Sequence, residues 1–232
     1  MVHHAQRRQI GGQANRLSEP FPDSDALELG RKLFARPCRF FHAAQQLDHL
    51  PPPDGLEIAL AGRSNVGKSS LLNALTGQRA LARASNTPGR TRQLNFFDLD
   101  GALTLVDMPG YGYARASKDI KQDWQGLMFD YLRGRPNLVR VVLLLDARIP
   151  LKESDTQVMD LLGKAAVTFM LVLTKTDGMK PGALASKTAS VMAEIARRAA
   201  AFPRLVATSS ETGAGIDTLR AELASLVESQ PG

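Results

Sequence analysis

An α/β fold, with a mostly parallel sheet covered by helices on both faces, is what this 232-residue sequence predicts, on three observations. Apolar runs alternate with amphipathic stretches along most of the chain, as strands feeding helices do. One apolar run ends in a glycine-rich turn, GRSNVGKS (62–69), that opens directly onto a helical pattern. The runs LNFFDL and ALTLVD flank Asp100-Gly101, a two-residue hairpin signal that adds one antiparallel strand at the sheet edge. At 44% hydrophobic and 22% charged, the composition is that of a soluble chain, long enough for one compact domain with an extension.

Taken in order, residues 1–24 are polar and rich in Gly, Pro and charge. They lack the apolar core and cleavage site of a secretory signal and are expected to form a mobile arm, in which the isolated pair His3 and His4 reads as incidental rather than metal-binding. Residues 25–55 form an N-terminal extension, where CRFFHAAQQLDHLPPPDG can supply an extra strand and a short turn before the proline-rich connector. The main domain is expected over 56–230. LEIALAG (56–62) reads as a buried strand ending at glycine, and SSLLNALTG as the helix it feeds, with Leu71, Leu72 and Leu75 on one face. After the hairpin, the runs at 139–147, 167–177 and 204–210 are nearly continuously apolar, as in parallel strands covered on both sides, which brings the expected sheet to six strands. Helical patterns lie at about 153–164, 183–201 and 214–228, the last carrying Ile216, Leu219, Leu223 and Leu226 on one face.

No apolar run approaches the roughly 20 residues of a membrane-spanning helix. Cys38 is the only cysteine, so no internal disulfide can form; it fits a reducing cytoplasm and reads as a small buried apolar residue rather than a reactive thiol. A formal net charge of +6 and a pI of about 9.7 favour polyanionic partners, although no run of Lys and Arg is as dense as a dedicated nucleic-acid tail.

GRSNVGKS matches G-x-x-x-x-G-K-[ST], and it stands between a strand and a helix, where a phosphate-binding loop works. Gly62 and Gly67 let the backbone turn tightly, so that the N–H groups of Arg63, Ser64, Asn65 and Val66 and of the helix start face an anionic phosphate. Lys68 would reach the β- and γ-phosphates, Ser69 would bind Mg²⁺ through its hydroxyl, and Ser70 continues the helix start. The implied class is a three-layer P-loop NTPase.

TKTD (Thr174, Lys175, Thr176, Asp177) closes the fifth apolar run, at the carboxyl end of a strand where open α/β sheets bind ligands. A carboxylate at Asp177 can accept hydrogen bonds from the N1–H and N2–H₂ of guanine, a donor pair that adenine lacks. Lys175 would lay its stem along the base, and Thr174, the shorter variant of the usual asparagine, should be tied more weakly to the phosphate loop. Thr208, Ser209 and Ser210 end the last strand and can offer backbone N–H groups to the guanine O6.

Two further segments read as switches. In DMPG, Asp107 ends a strand where a carboxylate can hold Mg²⁺ through a water; Met108 and Pro109 lead to Gly110, whose N–H can meet the γ-phosphate. Between the first helix and the hairpin, ASNTPGRTRQLNFF offers two threonines, Thr87 and Thr91, for Mg²⁺, and spacing does not choose between them.

In this order, GRSNVGKSS, NTPGRTRQLNFF, DMPGYGYA, TKTD and TSS resemble the EngB/YihA/YsxC family of bacterial GTPases, over about residues 37–228. The resemblance implies a Ras-like G domain that binds GTP and GDP with Mg²⁺, hydrolyses GTP slowly, and serves in assembly of the large ribosomal subunit and in normal cell division and septation. It places the Mg²⁺-binding threonine at Thr91 and the first switch at Gly89, Arg90, Thr91, Arg92 and Gln93. The expected partner is a precursor of the large subunit, its RNA and proteins; neither a membrane nor DNA is expected, and the chain is taken to be a monomer.

Many GTPases follow the D-x-x-G glycine with a glutamine that orients water, and this chain has Tyr111, whose hydroxyl stands too far out on its ring and is expected to pack instead. Asn65 is the candidate substitute, helping to hold K⁺ against the phosphates, with Lys68 and Thr91 as the other catalytic residues. Arg90 and Arg115, in the two switches, are candidate fingers or RNA contacts. The rival readings are a GTP-gated binding module whose hydrolysis is incidental and, less well supported, an ATP-using kinase, which would leave Asp177 without its donor pair.

Overall fold

The structure, a computed structural model, describes residues 22–79, 81, 93–112, 126 and 128–229. Helix α1 (Ser24–Phe34) is followed by β1 (Cys38–Ala44), a 3₁₀ turn at Leu47–His49, β2 (Glu57–Gly62), α2 (Lys68–Thr76), β3 (Leu94–Leu99) and β4 (Thr104–Asp107). Then come β5 (Leu138–Asp146), α3 (Glu153–Lys164), β6 (Phe169–Thr174), a 3₁₀ turn at Thr176–Gly178, α4 (Pro181–Ile195), β7 (Ala201–Ala207) and α5 (Ile216–Glu228). Residues 128–134 are also helical.

The strands form one seven-stranded sheet in the order β1-β3-β4-β2-β5-β6-β7. From β4 to β7 all pairs are parallel, β3 runs antiparallel to β4, and β1 antiparallel to β3. The α/β class stands: the six expected strands are joined by the extra strand that the extension can supply, β1, which pairs outside β3, so the antiparallel strand β3 lies second from the edge. Leu94, Phe96, Phe97 and Leu99 of β3 are fully buried, and without β1 outside them this row would be an open apolar edge. The hairpin turn is as the sequence indicates, with Asp100 and Gly101 both at positive φ (51° and 70°) and the Ala102 N–H bonded to the Leu99 carbonyl.

Helix α1 was absent from the sequence expectations. Asp23 caps it by accepting from the Ala26 N–H, Leu33 and Phe34 enter the core, and Gly30 lies against the backbone of α5. The helix expected over 183–201 ends at Ile195, and the strand expected over 204–210 occupies Ala201–Ala207. The Ala/Arg-rich run favours helix, but Ala201 pairs with Phe169 of β6, and sheet formation overrides the propensity. Pro203 is tolerated inside β7 because that strand is an edge and its register with β6 shifts there.

Alternate residues of the central strands feed two cores. Val142 and Leu144 of β5 join Leu71, Leu75, Leu219 and Leu223 beneath α1, α2 and α5, while Val141, Leu143 and Leu145 join Val158, Leu162, Val191 and Tyr131 on the other face. At the amino end of β2, the buried Glu57 accepts from Arg135 Nε (2.8 Å), Arg135 Nη2 (2.5 Å) and the Tyr131 hydroxyl (3.2 Å), while Arg135 Nη1 also donates to the Pro51 carbonyl. This ties the connector to the sheet. Among the described residues no helix is long and apolar enough to cross a membrane.

Candidate functional site

Those of the sequence-predicted residues that are described gather where the carboxyl ends of β2, β4, β6 and β7 meet. β2 ends at Gly62 and α2 begins at Lys68, so the intervening loop turns the chain within five residues. Asn65 and Gly67 take positive φ (63° and 109°), which buries Val66 beneath the loop. At Gly62 a Cβ would fall 2.7 Å from Val66 Cγ1, so the close approach needs glycine. Gly67 caps α2 without a side chain, which leaves the helix's first N–H groups to an external anion.

β6 delivers the TKTD residues onto this loop. Thr174 Oγ1 donates to the Val66 carbonyl at 2.7 Å, which ties the strand end directly to the phosphate loop. Lys175, at φ 60°, donates from Nζ to the Asn65 carbonyl at 2.5 Å and reaches Asp146 Oδ2 at 3.1 Å, with its stem 3.7 Å from where a Gly67 Cβ would stand. Asp146 also accepts from Arg148; burial alone would raise its carboxyl, but the hydrogen bonds from Arg148 and Lys175 win and hold it at about 2.

Asp177 is exposed and accepts from Ser209 Oγ at 2.5 Å, and Ser209 Oγ in turn accepts from the Glu211 and Thr212 N–H groups. The Thr208 and Ser209 N–H groups bond the Leu173 and Ala214 carbonyls. These two residues therefore build the loop, and of the three only Ser210 keeps a backbone N–H with no bond to another described residue. Thr176, in the middle of the motif, donates its own N–H to the Thr208 carbonyl, which locks β6 to the β7 end.

On the opposite side of the loop, Asp107 ends β4 and is 8% exposed, and its Oδ1 has no hydrogen-bond partner among the described residues. Burial pushes its carboxyl up, and the charge of Lys68 opposes the shift. An orphaned buried carboxylate oxygen within reach of the Lys68 charge is a hard-oxygen donor that a Mg²⁺ with its waters would satisfy. Gly110 passes so close to the phosphate loop that a Cβ would lie 3.1 Å from Ser64 N. Past it, the chain zips onto the loop, with the Tyr111 N–H bonded to the Gly62 carbonyl and the Ser64 N–H to the Tyr111 carbonyl.

Tyr111 is 5% exposed, and its hydroxyl donates to Asp155 Oδ1 at 2.9 Å. Asp155 Oδ2 accepts from the Lys152 N–H at the start of α3, so the ring is pinned away from the loop's phosphate face, as the packing expectation holds. Thr87, Gly89, Arg90, Thr91, Arg92 and Arg115 lie outside the described residues; Gln93, just before β3, donates to Asn95 Oδ1 at 3.0 Å. Sequence reasoning missed Asp146 and Asp155. Asp146 was findable, since it ends an apolar strand as Asp107 does; Asp155 looks like any acidic residue in a first helical turn. Cys38 is buried, and that pushes its thiol up to about 12, as suits a core residue.

Residues 57–175 match a family model described as a 50S ribosome-binding GTPase. The chain is 64% identical over 211 residues to a probable GTP-binding protein EngB of Granulibacter bethesdensis, covering 91% of this chain and 95% of that one. It is 63% identical over 206 residues to the protein of the same description from Gluconobacter oxydans, covering 88% and 91%. In fold it is similar to a crystal structure of a probable GTP-binding protein engB, with a TM-score of 0.60 at 21% identity over 75% of this chain and all of that one.

Proposed function

The chain belongs to the EngB family of GTP-binding proteins, P-loop GTPases, and on that premise we propose that it is a slow GTP-hydrolysing switch in the assembly of the large ribosomal subunit, needed for normal cell division and septation. One observation carries the site: Thr174 and Lys175 bond the carbonyls of Val66 and Asn65, residues 108 and 110 positions away, so the base-reading strand end and the phosphate loop form one rigid cradle.

In that cradle Gly62 to Ser70 surround the phosphates, with Lys68 on the β- and γ-oxygens. Asp177, held by Ser209, accepts from guanine N1–H and N2–H₂; Lys175 covers the base, and of Thr208, Ser209 and Ser210 it is Ser210 whose N–H, unbonded among the described residues, is to spare for O6. Ser69, Thr91 and, through water, Asp107 would hold Mg²⁺, which when bound would supply positive charge against the phosphates. Gly110 senses the γ-phosphate, and because Tyr111 is zipped to Gly62 and Ser64, movement of Gly110 is felt by the phosphate loop at once. With Tyr111 turned to Asp155, water must be positioned by another group, for which Asn65 acting through K⁺ is our candidate; equal turnover in KCl and NaCl at matched ionic strength would remove it.

We assign residues 56–230 to the G domain, 25–55 to an extension and 1–24 to an arm, in a cytoplasmic monomer. The basic balance of the chain suits a ribosomal partner. Single-turnover GTP hydrolysis with and without large-subunit particles tests the proposal: particles should accelerate it. Tight GTP-dependent binding without acceleration would favour a binding module whose hydrolysis is incidental.

A further inference from the structure

Arg140 enters the sheet at the amino end of β5, the end away from the phosphate loop, on the face it shares with Val142 and Leu144. It is 8% exposed, and its Nε is sealed from solvent without a hydrogen-bond partner among the described residues. No carboxylate of the described residues comes within ion-pair distance of it. Its guanidinium carbon stands 4.0 Å from the centroid of the Phe202 ring, and the guanidinium of Arg204 approaches the same ring at 5.5 Å. Among the described residues the carboxylate that bears on Arg140, the buried Glu222, is bridged by Arg204 at 3.0 Å. Among the described residues the cluster thus holds two cations and one anion around a single aromatic ring.

Buried charges in proteins are paired, because an isolated one forfeits its hydration without return. The Phe202 ring offsets part of that loss, but a ring face offers no acceptor in the guanidinium plane, and the Nε–H is left pointing at none. Burial accordingly pulls the Arg140 guanidinium down from its usual range, with Glu222 opposing and Arg204 reinforcing the shift. An oxyanion supplied from outside would complete the set, since the planar fork of arginine matches a phosphate group in geometry as well as charge.

We propose that Arg140, flanked by Arg204 on the Phe202 ring, is a phosphate-binding site at the end of the sheet opposite the nucleotide, and that its ligand is a backbone phosphate of the RNA partner. The RNA source rests on the ribosomal reading above; the phosphate chemistry does not. Bound there, RNA would leave the nucleotide end of the sheet open to solvent and to the switches.

The test uses the full chain saturated with GDP and Mg²⁺, so that the phosphate loop is filled, as wild type and as Arg140→Met, which keeps an unbranched stem on Phe202. Inorganic phosphate, against chloride at equal ionic strength, should raise the unfolding midpoint of wild type and not that of the variant. Purified large-subunit RNA in low salt should bind the variant about fivefold to tenfold more weakly, with its salt slope lowered by about one. A loss in the phosphate arm alone upholds the site and removes the RNA as its source; equal behaviour of both proteins in both arms overturns the inference and leaves the GTPase reading intact. Should the variant not fold, the Arg140 Nε–H resonance of wild type must shift on titration with inorganic phosphate, and a stationary resonance overturns the proposal.

Discussion

Tyr111 follows Gly110 directly, yet its hydroxyl serves the fold, since it donates to the buried Asp155 and not toward the phosphate loop. Tyr111→Phe should therefore cost about 1–3 kcal/mol of stability, the penalty of a buried acceptor left without its donor, and leave single-turnover hydrolysis unchanged. Urea unfolding and a turnover assay on one preparation check both halves. Asp146 gives a pH signature. Its carboxyl titrates lower in the folded chain, at about 2, than in the unfolded chain, so it contributes stability that is fully present above the ordinary carboxylate range and is lost as pH falls from there toward about 2. Urea midpoints measured across that window should fall less steeply in Asp146→Asn than in wild type.

Elements and their joints were legible to different degrees, for physical reasons. The phosphate loop, the hairpin and the parallel strands announce themselves through residues with few alternatives: Gly62 because a Cβ has no room, Asp100-Gly101 because the turn takes positive φ twice, and β5 because both its faces are buried. The joint between α4 and β7 was misplaced because an Ala/Arg run carries helix propensity and nothing in it announces the pairing with Phe169. Helix α1 was hidden because its apolar face is short and its stability comes from contact with α5, a tertiary fact. That contact is testable at Gly30, where a Cβ would stand 2.6 Å from the backbone N of Ala221. Gly30→Ala should lose about 1–3 kcal/mol to overpacking, reduced by the roughly 1 kcal/mol that alanine gains over glycine within a helix. Thermal unfolding reads the net loss, and GDP affinity should hold, since the contact lies away from the nucleotide cradle.

At the scale of the whole molecule, the sheet has two working ends. Its carboxyl end brings Asp107, the phosphate loop and the TKTD segment together, and its amino end is braced by Glu57 and Arg135 and carries the Arg140 cluster. The site's residue types were legible in the sequence because each answers to a fixed chemical demand. Of their supports, Asp146 carried a signal in its place at a strand end, while Asp155 and the Ser209 hydroxyl carried none, because only the folded chain reveals which carboxylate or hydroxyl steadies which residue. The central claim is that this cradle reads guanine through Asp177, and competition between GTP and XTP for the wild type and for Asp177→Asn tests it most directly. Asparagine can still accept from Ser209, but it sets an amide donor against the guanine N1–H, while the C2 carbonyl of xanthine can accept from that donor. The account predicts that the variant loses roughly 100-fold or more in GTP affinity, about 2.7 kcal/mol, and gains XTP binding. A variant that binds GTP as wild type does, with no gain for XTP, would contradict it.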